Sequence, residues 1–219
     1  MPTAPTIVFA GGDPGSFSYL RSVDYSDAYL VAVDRGLAVM VELELIPDLF
    51  VGDCDSVAPE MVAGLDHGRT QVISLPVQKD VSDLEAAFDL LAATQRRGTV
   101  LVLAGLGGRL DHSLFNLQLA ARRVVDFEGI SFEDGRCQVK LLTGANSTRF
   151  ALGMTVSFVP MVDEVELTLI GFKYPLIHAL IPQGSTRTLS NITQDSIQQV
   201  IVDRGTVAMI AWKEPQDIA

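Results

Sequence analysis

Cysteine is scarce in this chain of 219 residues, with only Cys54 and Cys137. Two thiols cannot build a disulfide framework, and their separation matches no zinc-ligand spacing. Reduced thiols in a cytoplasmic setting are expected. Basic residues are also few: lysine and arginine total 16 against 27 aspartates and glutamates, a formal net charge of -11. That balance is the wrong footprint for a general nucleic-acid binder. It still admits a small anionic ligand, because a local pocket or a bound metal can reverse the field. No basic N-terminal segment precedes an apolar core, so no secretory signal is read. The longest apolar stretch, residues 150–162, is too short and too interrupted to cross a bilayer. The chain lacks G-x-x-x-x-G-K-[ST], which excludes a P-loop enzyme. It lacks a complete G-x-G-x-x-G with a placed acid, which speaks against a dinucleotide site. No Ser/His/Asp arrangement supports a serine nucleophile. Neither an internal repeat nor a low-complexity tract is present.

Hydrophobic residues make up 48% of the chain, enough for the core of one large domain or two small ones. Apolar runs at residues 6–10, 28–33, 49–51, 71–75 and 99–104 read as buried strands. Helical spacing follows several of them. Leu37, Met40, Val41 and Leu45 form one such set, which Pro47 stops. Ser82 and Glu85 have capping-box spacing ahead of Leu84, Phe88 and Leu91, with Gly98 as the stop. Leu110, Leu114, Leu117 and Ala121 form the apolar stripe of a further helix. Strands alternating with helices imply right-handed crossovers and a mostly parallel sheet.

Beyond about residue 130 the helical period gives way to short alternating runs at 139–142, 155–159, 165–169, 197–202 and 207–212. Asp203-Arg204-Gly205 reads as a hairpin turn between the last two. The expected organisation is an α/β N-terminal domain over residues 1–130, with a mostly parallel sheet. An all-β, sandwich-like C-terminal domain over 131–219 follows it.

The polar clusters of the first domain all fall where a strand ends: Gly11 to Gly15, Asp34 to Gly36, Asp53 to Ser56, Asp80 to Asp83, and Gly105 to His112. Parallel sheets bind ligands at those ends. Asp53 and Asp55 are two positions apart, so in extended backbone they project from one face. Close carboxylates repel, and a hard cation is the usual compensation; an acidic turn after a buried strand also fits. With Asp80 and Asp83 these acids could surround one or two Mg²⁺ ions, an arrangement suited to phosphoryl transfer. Gly107 and Gly108 let backbone approach a phosphate closely, and Arg109 adds a bidentate charge; a tight turn alone would use the same glycines. His112, after Asp111, could contact a phosphate or pack at a helix end. In the second domain Tyr174 offers a flat face for stacking, and Thr188, Ser190 and Asn191 offer hydrogen bonds. On the residues alone, a packed tyrosine beside an ordinary polar turn is the simpler account of them.

Taken together, these segments resemble the thiamine pyrophosphokinase family over nearly the whole chain. The correspondence is carried by Asp34-Arg35-Gly36-Leu37, Pro47-Asp48 through Gly52-Asp53-Cys54-Asp55-Ser56, Gln78-Lys79-Asp80-Val81-Ser82-Asp83, Gly107-Gly108-Arg109-Leu110-Asp111-His112, and Ser190-Asn191. The chain departs from the family pattern at Arg35, where a glycine is usual, and at Gln78, where an acid is usual. Ile192, Thr193 and Gln194 stand where some members carry a stacking tryptophan. The resemblance implies Mg²⁺-dependent transfer of diphosphate from ATP to the thiamine hydroxyl, with AMP leaving. It implies Asp53, Asp55 and Asp83 as metal and catalytic acids, supported by Asp80. Asp34, Lys79, Gly107, Gly108, Arg109, Asp111 and His112 would form the ATP side. Tyr174, Thr188, Ser190 and Asn191 would form the thiamine side. A homodimer with sites at the subunit interface is implied as well. Two other readings share these residues: diphosphate transfer to another hydroxymethyl heterocycle such as a pterin, and a non-catalytic nucleotide- or thiamine-binding module.

Overall fold

The computed structural model describes residues 4–53, 57–78 and 80–213. The chain divides into two compact units, Met1–Leu119 with Val125–Gly135, and Ala120–Val124 with Arg136–Ala219.

Strands and helices alternate through the first unit: β1 (Thr6–Phe9), α1 (Phe17–Leu20), β2 (Tyr29–Val33), α2 (Gly36–Glu42), β3 (Leu49–Gly52), α3 (Pro59–Ala63), β4 (Gln71–Ser74), α4 (Asp83–Ala93), β5 (Thr99–Leu103), α5 (Leu110–Arg123) and β6 (Gly129–Glu133). The sheet order is β6-β5-β1-β2-β3-β4, and every adjacent pair is parallel. β1 and β3 are buried at every position, as expected of strands covered on both faces. Phe9, Ala32, Leu37, Met40, Phe50 and Leu103 share one core. Leu84, Phe88 and Leu91 of α4 are buried, and α4 contacts β2 and β3. The chain steps outward from β1 to β4, then returns to lay β5 on the other side of β1. The order therefore reverses between β1 and β5, and that reversal opens a crevice beyond the carboxyl ends of those two strands.

Three elements of this unit differ from the sequence reading. α4 stops at Ala93, well before Gly98: Thr94 Oγ1 donates to the Leu90 carbonyl at 2.7 Å, and Gln95 takes a left-handed φ of +60°. On α5 the expected stripe is not a core face, since Leu110 and Leu114 are exposed and Ala120 is the buried residue. β6 straddles the expected boundary between residues 130 and 131. Its five residues alternate buried and half-buried positions, too short a period-2 run to stand out in the sequence.

The second unit is antiparallel throughout: β7 (Cys137–Thr148), β8 (Thr155–Pro160), β9 (Glu164–Ile170), β10 (Leu176–Pro182), β11 (Asn191–Ile192) and β12 (Gln198–Trp212). β12 is its axis. One edge of β12 pairs with β7 along nearly all its length; the other pairs first with β9 and then with β8. The predicted hairpin at Asp203-Arg204-Gly205 is instead a bulge within this one strand. Val200 and Val202 face the core, and so do Val207, Met209 and Ala211. The inward positions change from even to odd, so the chain must insert a residue between them. Gly205 accommodates the distortion at φ +91°. Both halves of β12 contribute to a single core with Phe158, Leu167, Leu169 and Ile181, which gives the sandwich-like packing expected.

Candidate active site

The acids gather at the ends of neighbouring parallel strands in the first unit. Asp34 follows β2 in a left-handed conformation, φ +49°. Its N–H donates to the Val51 carbonyl at 2.9 Å, tying it to β3. Glycines make the approach possible. A Cβ on Gly36 would fall 1.9 Å from the Phe9 carbonyl oxygen, and one on Gly52 would lie 3.3 Å from Asp34 Cα. Asp53 continues directly from β3. Asp83 is the first residue of α4, held there because Ser82 Oγ accepts from the Glu85 N–H at 3.2 Å. The capping box read from the sequence is therefore formed from its serine side. Asp80 is exposed on the loop before it. Asp55 and Lys79, with Cys54 and Ser56, lie outside the described residues.

Asp34 lies close enough to Asp83 and Asp53 to feel their charge. Burial pushes the Asp34 carboxyl above its ordinary pKa, and the negative charges of Asp83 and then Asp53 push the same way; the Arg35 N–H and guanidinium oppose them. Asp34 Oδ1 is buried and accepts no hydrogen bond from any described residue. An orphaned carboxylate oxygen beside two further acids fits a divalent cation, which prefers oxygen ligands and would relieve the repulsion.

The crevice at the β1/β5 reversal is an open cleft of about 500 Å³, lined by Gly11, Gly12, Asp13, Arg35, Val39, Gly107, Gly108, Arg109 and His112. Asp34 borders it, since a Cβ on Gly11 would lie 3.4 Å from Asp34 Oδ2. Gly107 and Gly108 have φ of +83° and +68°, conformations that admit few other residues. The Gly107 N–H donates to Ser113 Oγ at 3.1 Å, and Asn116 Nδ2 donates to the Gly105 carbonyl at 2.9 Å. Both bonds fix the loop to the first turns of α5. Arg109 and Asp111 pair with each other at 2.5 Å on the exposed rim. This pairing lowers the Asp111 carboxyl to about 2 and raises the Arg109 guanidinium further.

Sequence reasoning passed over Asp13, Ser113 and Asn116. Asp13 caps its own turn, accepting from the Gly15 N–H at 2.9 Å. The signal for it was Asp13-Pro14-Gly15, a turn signature. A hollow of about 370 Å³ at the opposite, amino edge of the sheet, lined by Pro5, Thr6, Asp24 and Thr99 among others, holds none of the predicted site residues.

The four residues singled out in the second unit fall into two kinds. Asn191 is buried; its Oδ1 accepts from the Tyr174 N–H at 3.0 Å and its Nδ2 donates to the Tyr174 carbonyl at 2.8 Å. Thr188 is buried as well, and its hydroxyl donates to the Phe158 carbonyl. These two side chains hold backbone. The Tyr174 ring, by contrast, is exposed, and Ser190 is half-buried at φ +53°, its N–H donating to Ser157 Oγ at 2.9 Å. Asn191 thus presents Tyr174 from a fixed backbone.

Comparison with known proteins gives a consistent result. The family model described as "Thiamin pyrophosphokinase, catalytic domain" matches residues 20–130. The model "Thiamin pyrophosphokinase, vitamin B1 binding domain" matches residues 145–207. Thiamine pyrophosphokinase of Bacillus subtilis is 28% identical over 203 residues, 91% of each chain. The crystal structure of thiamine pyrophosphokinase from Bacillus subtilis superimposes with a TM-score of 0.82 at 27% identity, covering 96% of this chain and 99% of the other. That of thiamin pyrophosphokinase from Geobacillus thermodenitrificans gives 0.79 at 30% identity, covering 96% and 97%.

Proposed function

This chain belongs to the thiamine pyrophosphokinase family, and we infer that it is an enzyme transferring diphosphate from ATP to the hydroxyl of thiamine, giving thiamine diphosphate and AMP. The observation that supports this most directly is the convergence of Asp34, Asp53 and Asp83 beside the glycine-lined cleft at the sheet's point of reversal. Residues 1–130 bind ATP and do the chemistry; residues 131–219 hold thiamine.

Gly107 and Gly108 place backbone against the phosphates, with Arg109, Asp111, His112, Asp34 and Lys79 completing the nucleotide side. Asp53, Asp55 and Asp83, with Asp80 in support, would hold Mg²⁺, which supplies charge neutralisation for the phosphates when bound. A carboxylate of this group takes the hydroxyl proton as the oxygen attacks the β-phosphorus. Tyr174 stacks on a thiamine ring, held by Asn191, while Ser190 contributes a hydroxyl and Thr188 the backbone support. The protein acts as a homodimer with its sites at the interface. The exposed Leu110, Leu114 and Phe115 of α5 support this, since such a row is costly to leave in water. Among the described residues no helix is long and apolar enough to cross a membrane.

The test is product analysis with ATP and either thiamine or a hydroxymethylpterin. Thiamine is expected to yield AMP and thiamine diphosphate in equal amounts. Asp53→Asn and Asp83→Asn are expected to lower turnover about 100-fold or more while leaving the chain folded. AMP release with the pterin alone would overturn the acceptor, and binding of both substrates without turnover would overturn the enzyme.

A further inference from the structure

A second cluster of ligating side chains lies in the second unit, among residues no step above employs. On β9 the odd positions Val165, Leu167 and Leu169 face the core. Alternation therefore directs Glu164, Glu166 and Thr168 to the outer face. Each strand flanking this segment is bulged against it. In β10, three steps from Leu176 to Ala179 oppose two steps of β9, from Leu169 to Leu167. In β12, two steps from Val202 to Arg204 oppose the single step from Leu167 to Glu166. Ile177 and His178 lie in the β10 bulge, and Asp203 lies in that of β12. A bulge re-aims a side chain, and His178 and Asp203 both converge on Glu166. His178 Nδ1 is 3.2 Å from Glu166 Oε1 and 3.2 Å from Asp203 Oδ2. Ligand atoms of all three lie within 4.8 Å of one another.

His178 is also held in an unfavourable backbone conformation, φ +45°, uncommon for a residue with a side chain. The Thr168 hydroxyl stabilises it by accepting the His178 N–H at 2.9 Å. Simple ion pairing does not account well for this geometry. One Nδ1–H shared between two oxygens makes a bifurcated bond, less well aligned to each than a linear one, and the two carboxylates are drawn together in a chain of net charge -11. A tetrahedral ion with bonds of about 2.0–2.1 Å separates its ligand atoms by about 3.3–3.4 Å, close to the two nitrogen–oxygen distances of 3.2 Å. Arg204, next to Asp203 in the chain, is directed to Glu164 instead.

We propose that Glu166, His178 and Asp203 form a divalent metal site of borderline hardness, with zinc as the natural probe, independent of the diphosphate-transfer centre. One imidazole nitrogen with two carboxylates suits such an ion better than Mg²⁺, which favours an all-oxygen shell. The ion would bridge β10, β9 and β12 and pin both bulges.

The experiment is calorimetric titration of the full chain, stripped with chelator, with zinc chloride in excess Mg²⁺ so that hard-cation sites stay filled. The unsubstituted chain is expected to take up one more equivalent of zinc than His178→Ala does. Glu166→Gln is expected to weaken that equivalent by more than the roughly 10–100-fold loss typical of an outer-shell partner. It also serves as the probe should His178→Ala fold poorly. Mg²⁺-dependent turnover should be the same in both variants as in the unsubstituted chain. Zinc isotherms that superimpose for the unsubstituted chain and both variants would overturn the proposal, as would the absence of zinc uptake by the unsubstituted chain.

Discussion

Asp34 combines a left-handed backbone, a buried oxygen with no partner among the described residues, and a carboxyl raised by burial and by Asp83 and Asp53. An acid whose folded pKa is raised binds more protons folded than unfolded, so stability falls as pH rises above the ordinary carboxylate value of about 3.9. Asp34→Asn removes that charge, and asparagine tolerates the left-handed region well. Without ligands the variant is expected to melt higher at pH 7, by about 2–4 °C for about 1 kcal/mol. The gain should fade near pH 3, where the parent carboxyl is neutral. Turnover should fall, as when a destabilising group is kept for function. Calorimetry across pH checks it: a lower melting temperature at pH 7 would contradict this account of Asp34.

Two elements are set by single side chains. Ser82 caps α4 and thereby fixes Asp83 in the first turn. Ser82→Ala is expected to cost about 1 kcal/mol in urea unfolding and to lower turnover, while Ser82→Asp, another capping residue, should recover most of both. Asn191 grips both backbone polar groups of Tyr174. Asn191→Ala should cost about 1–3 kcal/mol by leaving them unsatisfied, and raise KM for thiamine more than for ATP in steady-state kinetics. Ser82 was legible in the sequence because a cap acts locally, three residues from its partner. The acids at strand ends were legible because continuous apolar runs reveal where buried parallel strands stop. Thr188 and Asn191 were less so, because composition cannot tell a side chain aimed at a ligand from one aimed at distant backbone. Asp203 was misread as a turn for a related reason. The inward positions 200, 202, 207, 209 and 211 carry the shift in parity, but only pairing with β9 distinguishes a bulge from a reversal.

The chain as a whole carries a net charge of -11 and is proposed to bind a polyanion. Arg35, Arg109 and His112 line the cleft, but Arg109 is paired with Asp111. With Arg109 so engaged, the cleft has less positive charge to offset the repulsion between ATP and the clustered acids. Chelation of divalent cations is expected to reduce turnover about 1,000-fold or more, because several kcal/mol of charge stabilisation would be lost. Mg²⁺ should restore it, and residual activity near the original rate in excess chelator would contradict this.

β12 comes after every strand it joins, yet it is the centre of the second unit. During synthesis β7, β8 and β9 emerge before the strand that pairs with all three. A nascent chain stalled before Gln198 would present their open edges to its surroundings, the condition that favours aggregation and chaperone capture. The first unit can assemble as the ribosome advances, whereas the sheet of the second must wait for β12.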